Sequence, residues 1–209
     1  MASSFIDQIP PIIHLVKKLQ PKKILDIGKG FGKYGFLIHE YVGISTTQRI
    51  DPARSLKEQS AISIDAVEVD TDLMLSHLDQ FYQQVYFGDV LKIYPDLPAY
   101  ELVLMIDIIE HINKEAALGL LKFLLKKGSK IIIATPIDFF EQHVYESEFE
   151  NHVSHWTLKD FKEIASVEFQ YFNSGGIYLL SNEKIDIRGF GNTLIKKLRR
   201  IARAIKNEF

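Results

Sequence analysis

Short apolar runs alternate with stretches of helical spacing through the first two thirds of the chain. The runs at 24–27, 62–69, 84–87, 100–106 and 130–134 read as five strands, and the fourth is apolar throughout, as suits a strand covered on both faces. Between them, 33–41, 71–80 and 114–127 carry helical spacing, the last stopped by Gly128. Residues 4–19 predict a helix interrupted near Pro10 that restarts with proline in its first turn. Residues 42–61 are polar, hold Gly43, Pro52 and a Ser-Thr-Thr cluster, and predict an insertion at the edge of a pocket. Two further runs, 167–172 and 177–180, are joined through Ser174-Gly175-Gly176 and predict an antiparallel hairpin. The pattern as a whole predicts an α/β fold with a doubly wound, mostly parallel seven-stranded sheet ending in that hairpin.

The spacing assigns residues 1–187 to a single domain, with 1–20 as an N-terminal helical segment. Residues 137–156 are aromatic, acidic and histidine-bearing and read as a loop or lid, after which Thr157 caps a helix with Asp160 three residues on. Residues 188–209 stand apart as a basic amphipathic helix. They hold seven Lys or Arg against one acid, which leaves the rest of the chain at −8. Such a helix suits an anionic membrane surface or a protein partner, and packing on its own acidic domain with its charges in water is the favoured alternative.

The balance of 46% hydrophobic and 25% charged residues over 209 positions is that of a soluble globular enzyme. A net charge of −2 argues against a dedicated nucleic-acid binder. With no cysteine there are no disulfides or thiolate metal sites, and neither a signal peptide nor a membrane-spanning run is evident, so a cytoplasmic location is expected.

The chemistry concentrates where the first strand breaks into glycines. Asp26-x-Gly28-x-Gly30-x-Gly32 sits directly on a strand end and opens a helix, an arrangement that lets main-chain N–H groups approach a ligand. Gly30, Gly32 and Gly35 also make a G-x-G-x-x-G, a weak signal alone. The second strand ends on Glu68 and Asp70, where an acid can accept two hydrogen bonds from a ribose diol. Gly88-Asp89 ends the third strand, and Asp107-x-x-Glu110-His111 follows the fourth.

In that order these motifs resemble the class I S-adenosylmethionine-dependent methyltransferases over roughly residues 22–181. A closer likeness is to a poorly characterised bacterial group with G-F-G-K-Y-G after the first strand, here Gly30 to Gly35, then Thr135-Pro136 and a segment like Glu148 to Thr157. The resemblance implies a Rossmann-like methyltransferase fold and S-adenosyl-L-methionine as cofactor. It implies that Asp26 sits near the cofactor's amino-acid part and that Gly28, Gly30 and Gly32 let the backbone approach. Glu68 would be the ribose acid with Val69 beside the adenine, Asp89 and Val90 would meet the adenine, and Ile106 and Asp107 would line the pocket near the sulfonium. Lys29 departs from the family's small or apolar residue, and must turn toward the carboxylate, the acceptor or water to avoid facing a sulfonium.

Methyl transfer asks the protein to align an acceptor, exclude water and take a proton where the acceptor is a hydroxyl. His152 and His111 are the candidate bases, His152 first because it lies in the lid; fixing that loop by hydrogen bonds is the alternative role. His143, His152 and His155 with Glu148 or Glu150 match no ligand spacing, so no metal is expected. Trp156 is expected to anchor the lid, and His14 to lie in the core or the lid. The expected reaction is methyl transfer to a small-molecule, glycan-type or lipid-linked acceptor. An NAD(P)-dependent oxidoreductase and a non-catalytic cofactor-sensing or assembly protein are the rivals.

Overall fold

A computed structural model describes residues 5–45, 47–138, 148–172 and 175–187. The basic helix expected over 188–209, His143 and part of the expected lid lie outside the described residues. Seven strands form one sheet: β1 (Lys23–Ile27), β2 (Ser63–Glu68), β3 (Val85–Phe87), β4 (Leu102–Ile106), β5 (Lys130–Pro136), β6 (Ser166–Phe172) and β7 (Gly175–Ser181). Their order is β3-β2-β1-β4-β5-β7-β6. All neighbours are parallel except β7, which runs antiparallel to both β5 and β6. The helices are α1 (Ile9–Leu19), α2 (Lys33–Ile38), α3 (Leu56–Gln59), α4 (Val90–Ile93), α5 (Lys114–Lys126) and α6 (Leu158–Lys162). Among the described residues no helix is long and apolar enough to cross a membrane.

Successive strand residues point to opposite faces, and both faces are covered. Ile24, Ile64, Leu102, Leu104 and Ile132 face a core completed by Ile12, Leu15 and Val16 of α1 and by Ile38 of α2. Leu25, Val103, Met105, Ile131 and Ile133 face the other, completed by α5 and by Trp156 and Phe161. Trp156 is buried, stacks on Phe161 with ring centroids 5.1 Å apart, and donates its indole N–H to Ser154 Oγ at 2.8 Å, so it does anchor its segment.

Three local expectations change. The stripe Ile12, Leu15, Val16 turns α1 toward the sheet, which puts His14 on the exposed face rather than in the core. Residues 42–61 pack back on the start of β2, where the Ala61 N–H donates to the Gly43 carbonyl, and none of the described residues among them borders the cleft at the strands' carboxyl ends. Residues 71–80 form two separate 3-10 turns, Thr71–Leu73 and Ser76–Gln80, instead of an α-helix. The Leu73 carbonyl, which a helix would use at its next turn, accepts instead from the Lys29 ammonium at 2.9 Å and from the Leu75 N–H at 3.0 Å.

Candidate functional site

Gly28, Gly30 and Gly32 all have left-handed backbones, with φ of +74°, +51° and +82°. They serve different ends. A Cβ on Gly28 would lie 2.0 Å from Ile108 Cδ1, so glycine there permits close packing on the segment after β4. A Cβ on Gly30 would meet nothing within 4 Å, so that backbone faces open space. The Gly28 N–H donates to the Val67 carbonyl at 2.8 Å, which ties the turn to β2. Glu68, at the end of β2, closes the arrangement. Its Oε2 accepts from the Gly30 N–H at 3.0 Å, and its Oε1 accepts from the N–H groups of Val69 and Asp70 at 2.9 and 3.2 Å. Three main-chain donors therefore fix this buried carboxylate against the glycine turn.

A cleft opens here, outside the carboxyl ends of β1, β2 and β4, the usual ligand position in an open α/β sheet. It has two joined chambers, of about 340 Å³ and about 100 Å³. Gly28, Glu68, Val69, Ile108, His111 and Phe149 border both. The smaller is completed by Val67, Gly88, Asp89 and Val90, the larger by Lys29, Gly30, Lys33, Ile106 and Asp107 among others. The fold thus brings together every residue expected at the cofactor except Asp26 and Gly32. Gly32 instead precedes α2 and packs on Leu78. Asp26 is buried beneath the turn, where its Oδ2 accepts from the Tyr82 hydroxyl at 2.6 Å. Burial pushes its carboxyl up to about 6, against the opposing pull of the Tyr82 hydrogen bond.

Lys29 is buried and borders the larger chamber. Its ammonium donates to the Gly30 and Leu73 carbonyls and sits 5.4 Å from the centre of the Phe87 ring. Burial holds its ammonium below the usual lysine value, while the charges of Glu68, Asp26 and Asp70 oppose that shift. Asp107 has a left-handed φ of +53°, a strained conformation for a residue with a side chain. Gln8, immediately before α1, donates its amide to both carboxylate oxygens of Asp107, each at 3.1 Å. Burial raises the Asp107 carboxyl to about 6, with the Gln8 bond and the charge of Lys33 pulling the other way.

The two candidate histidines meet. Their rings lie edge to face with centroids 4.9 Å apart, although 41 positions separate His111 from His152. The N–H groups of Val153 and Ser154 both donate to the Glu110 carbonyl, at 2.9 and 3.0 Å, and the Ser154 hydroxyl donates to the Ile109 carbonyl at 3.1 Å. These bonds dock the segment after β5 on the segment after β4. Glu110 is buried, its Oε2 accepts from the Thr135 hydroxyl at 3.1 Å, and burial raises its carboxyl to about 8. His155 turns elsewhere, toward the Ile137 carbonyl at 2.7 Å. Gln8 and Tyr82 are residues around the site that no motif singles out, whereas Glu110 lies in the acidic motif after the fourth strand and Phe149 in the segment Glu148 to Thr157.

The sheet order, with an antiparallel β7 between β5 and β6, and a cleft over a glycine turn define the Rossmann-like fold of class I methyltransferases. The chain matches no protein-family model and no curated protein. Its fold is similar to that of the methyltransferase domain of bacterial CtHen1, at 18% identity and a TM-score of 0.54, covering 84% of this chain and 97% of that one. It is similar to the N-terminal domain of EvdMO1 with S-adenosylhomocysteine (SAH) bound, at 12% identity and a TM-score of 0.57, covering 83% and 80%. A SAM-dependent methyltransferase from Archaeoglobus fulgidus matches at 17% identity and a TM-score of 0.52, covering 78% and 72%. At these identities the likeness is one of fold.

Proposed function

We propose that the chain binds S-adenosyl-L-methionine in this cleft and transfers its methyl group to a hydroxyl of a small-molecule, glycan-type or lipid-linked acceptor. The observation that carries the reading is Glu68, locked by main-chain donors against Gly30, whose missing side chain leaves open space where an adenosyl group would approach. The residues fit the cofactor. Left-handed glycines supply a bare backbone, Glu68 supplies an acceptor for a ribose diol, and Asp89 and Val90 border a small, mainly apolar chamber suited to a base. Dinucleotide-binding sheets in the order 3-2-1-4-5-6 lack the antiparallel strand present here, which disfavours the oxidoreductase.

When bound, the cofactor supplies a sulfonium methyl group, so the protein needs only to orient and deprotonate. We assign acceptor alignment to the walls formed by Phe31, Lys33 and Phe149, and removal of the hydroxyl proton to the pair of His152 and His111, of which His111 borders the cleft. Calorimetric titration with SAH, and with NADH as control, tests the reading. SAH is expected to bind and NADH not. Glu68→Ala and Asp89→Ala are each expected to weaken SAH by about 1–3 kcal/mol, or roughly 5- to 150-fold. Unchanged affinity in both variants contradicts the reading. His152→Ala is expected to keep SAH affinity and lose turnover; equal loss of both would make it a structural residue.

A further inference from the structure

We infer that Glu110, His111 and His152 form a binding site for one divalent first-row transition ion, of the Mn²⁺ or Zn²⁺ kind, at the wall of the cleft. One donor atom from each of the three residues lies within 4.8 Å of the other two. A carboxylate with two imidazoles is a donor set that suits Mn, Co and Zn, and three protein ligands leave coordination positions open. Three ligands of one ion at about 2.0–2.2 Å in a tetrahedral set lie about 3.3–3.6 Å apart, so the three must draw together by up to about 1.5 Å. His152 lies in an irregular stretch that can supply that movement without disturbing a helix or strand.

The surroundings prepare the donors. His111 Nδ1 lies 3.1 Å from the Asn151 carbonyl oxygen. A carbonyl only accepts, so Nδ1 carries the hydrogen and the neutral ring keeps its lone pair on Nε2, the form that ligates a metal. The Thr135 hydroxyl fixes one oxygen of Glu110, and the paired bonds from Val153 and Ser154 to the Glu110 carbonyl hold His152 beside both partners. Asp107 and Glu150 are close enough for their charges to act on Glu110 and His111. The site therefore combines a buried carboxyl group with an ordered imidazole, and it needs no cofactor to exist. His111 borders both chambers, so the open coordination positions would be reached from the cleft. The ion's role rests on the methyl-transfer reading: it would hold an oxygen acceptor such as a sugar hydroxyl and lower its pKa so that the proton passes to water, in place of the histidines as bases, because a ligating imidazole has no lone pair left for a proton.

The test uses full-length, tag-free protein dialysed against EDTA, titrated with Co²⁺ by visible absorption and with Zn²⁺ in competition. One equivalent is expected to bind, Zn²⁺ is expected to displace Co²⁺, and Glu110→Gln, His111→Gln and His152→Gln are each expected to lower affinity at least about tenfold. Circular-dichroism melting confirms that each variant is folded, and any one folded variant suffices for the comparison. Binding of much less than one equivalent, or binding that folded variants leave unchanged, overturns the site. SAH titration of the same metal-free protein keeps the two ideas separate: SAH without metal sinks only the ion site, and metal without SAH sinks only methyl transfer.

Discussion

Gln8 reaches across 99 positions of sequence to donate to both carboxylate oxygens of Asp107, at 3.1 Å each. This contact joins the start of the first helix to the residue whose strained backbone shapes the floor of the cleft. Gln8→Ala is expected to cost about 1.5–3 kcal/mol in urea unfolding at pH 7.5, the usual range for hydrogen bonds to a charged group. Gln8→Glu is expected to cost more at pH 8, where two carboxylates face each other, than at pH 5, where one is protonated. An equal penalty at both values contradicts the contact.

The Tyr82–Asp26 pair predicts a pH signature. The Asp26 carboxyl is raised to about 6 in the folded protein, so the folded state holds its proton more tightly than the unfolded chain does. Its stabilising contribution is complete below about pH 4, is lost as the pH climbs to about 6, and is constant above that. Asp26→Asn cannot ionise, so its stability relative to the parent is expected to rise by up to ~3 kcal/mol between pH 4 and 7. Tyr82→Phe should do the reverse, costing about 1–3 kcal/mol at pH 8 and less at pH 5, because a buried carboxylate would lose its donor. Parallel stability profiles for parent and Asp26→Asn would show that Asp26 titrates normally.

The glycines separate by what they face. Gly30→Ala adds a side chain into open space at a left-handed backbone, so the folding cost is about 1–2 kcal/mol and the larger effect falls on SAH affinity. Gly28→Ala meets Ile108 and should lose more stability, since both strain and repacking apply. Thermal melts and SAH titrations of the two variants check this ordering. Gly30→Ala binding SAH as the parent does would remove the turn from the binding site.

The Ser154 hydroxyl links the buried indole of Trp156 to the Ile109 carbonyl, two residues beyond His152. Ser154→Ala leaves that indole N–H without its acceptor and is expected to cost about 1–3 kcal/mol. If His152 depends on this docking, turnover falls with it while SAH affinity holds. Full activity in Ser154→Ala would uncouple the two.

The sheet was legible because two-sided burial writes strands as apolar runs, and the runs at 100–106 and 130–134 became the fully covered β4 and β5. The glycine turn was legible because left-handed backbone demands glycine in the chain itself. Residues 71–80 were misread because helical spacing says nothing about a lysine elsewhere claiming a helix carbonyl. His14 looked internal from its neighbours, yet the helix's angular stripe left it outside. Lys29, Gln8 and Tyr82 take partners 44, 99 and 56 positions away, and no local pattern carries such pairings.

The central claim is that Glu68 and the bare backbone at Gly30 receive an adenosyl group. Diffraction from crystals soaked in SAH tests it most directly. The expected map shows the ribose against Glu68, the base beside Val69 and Asp89, and Lys29 still turned to the Leu73 carbonyl. A cleft that stays empty at saturating SAH, or a nucleoside bound elsewhere, contradicts it.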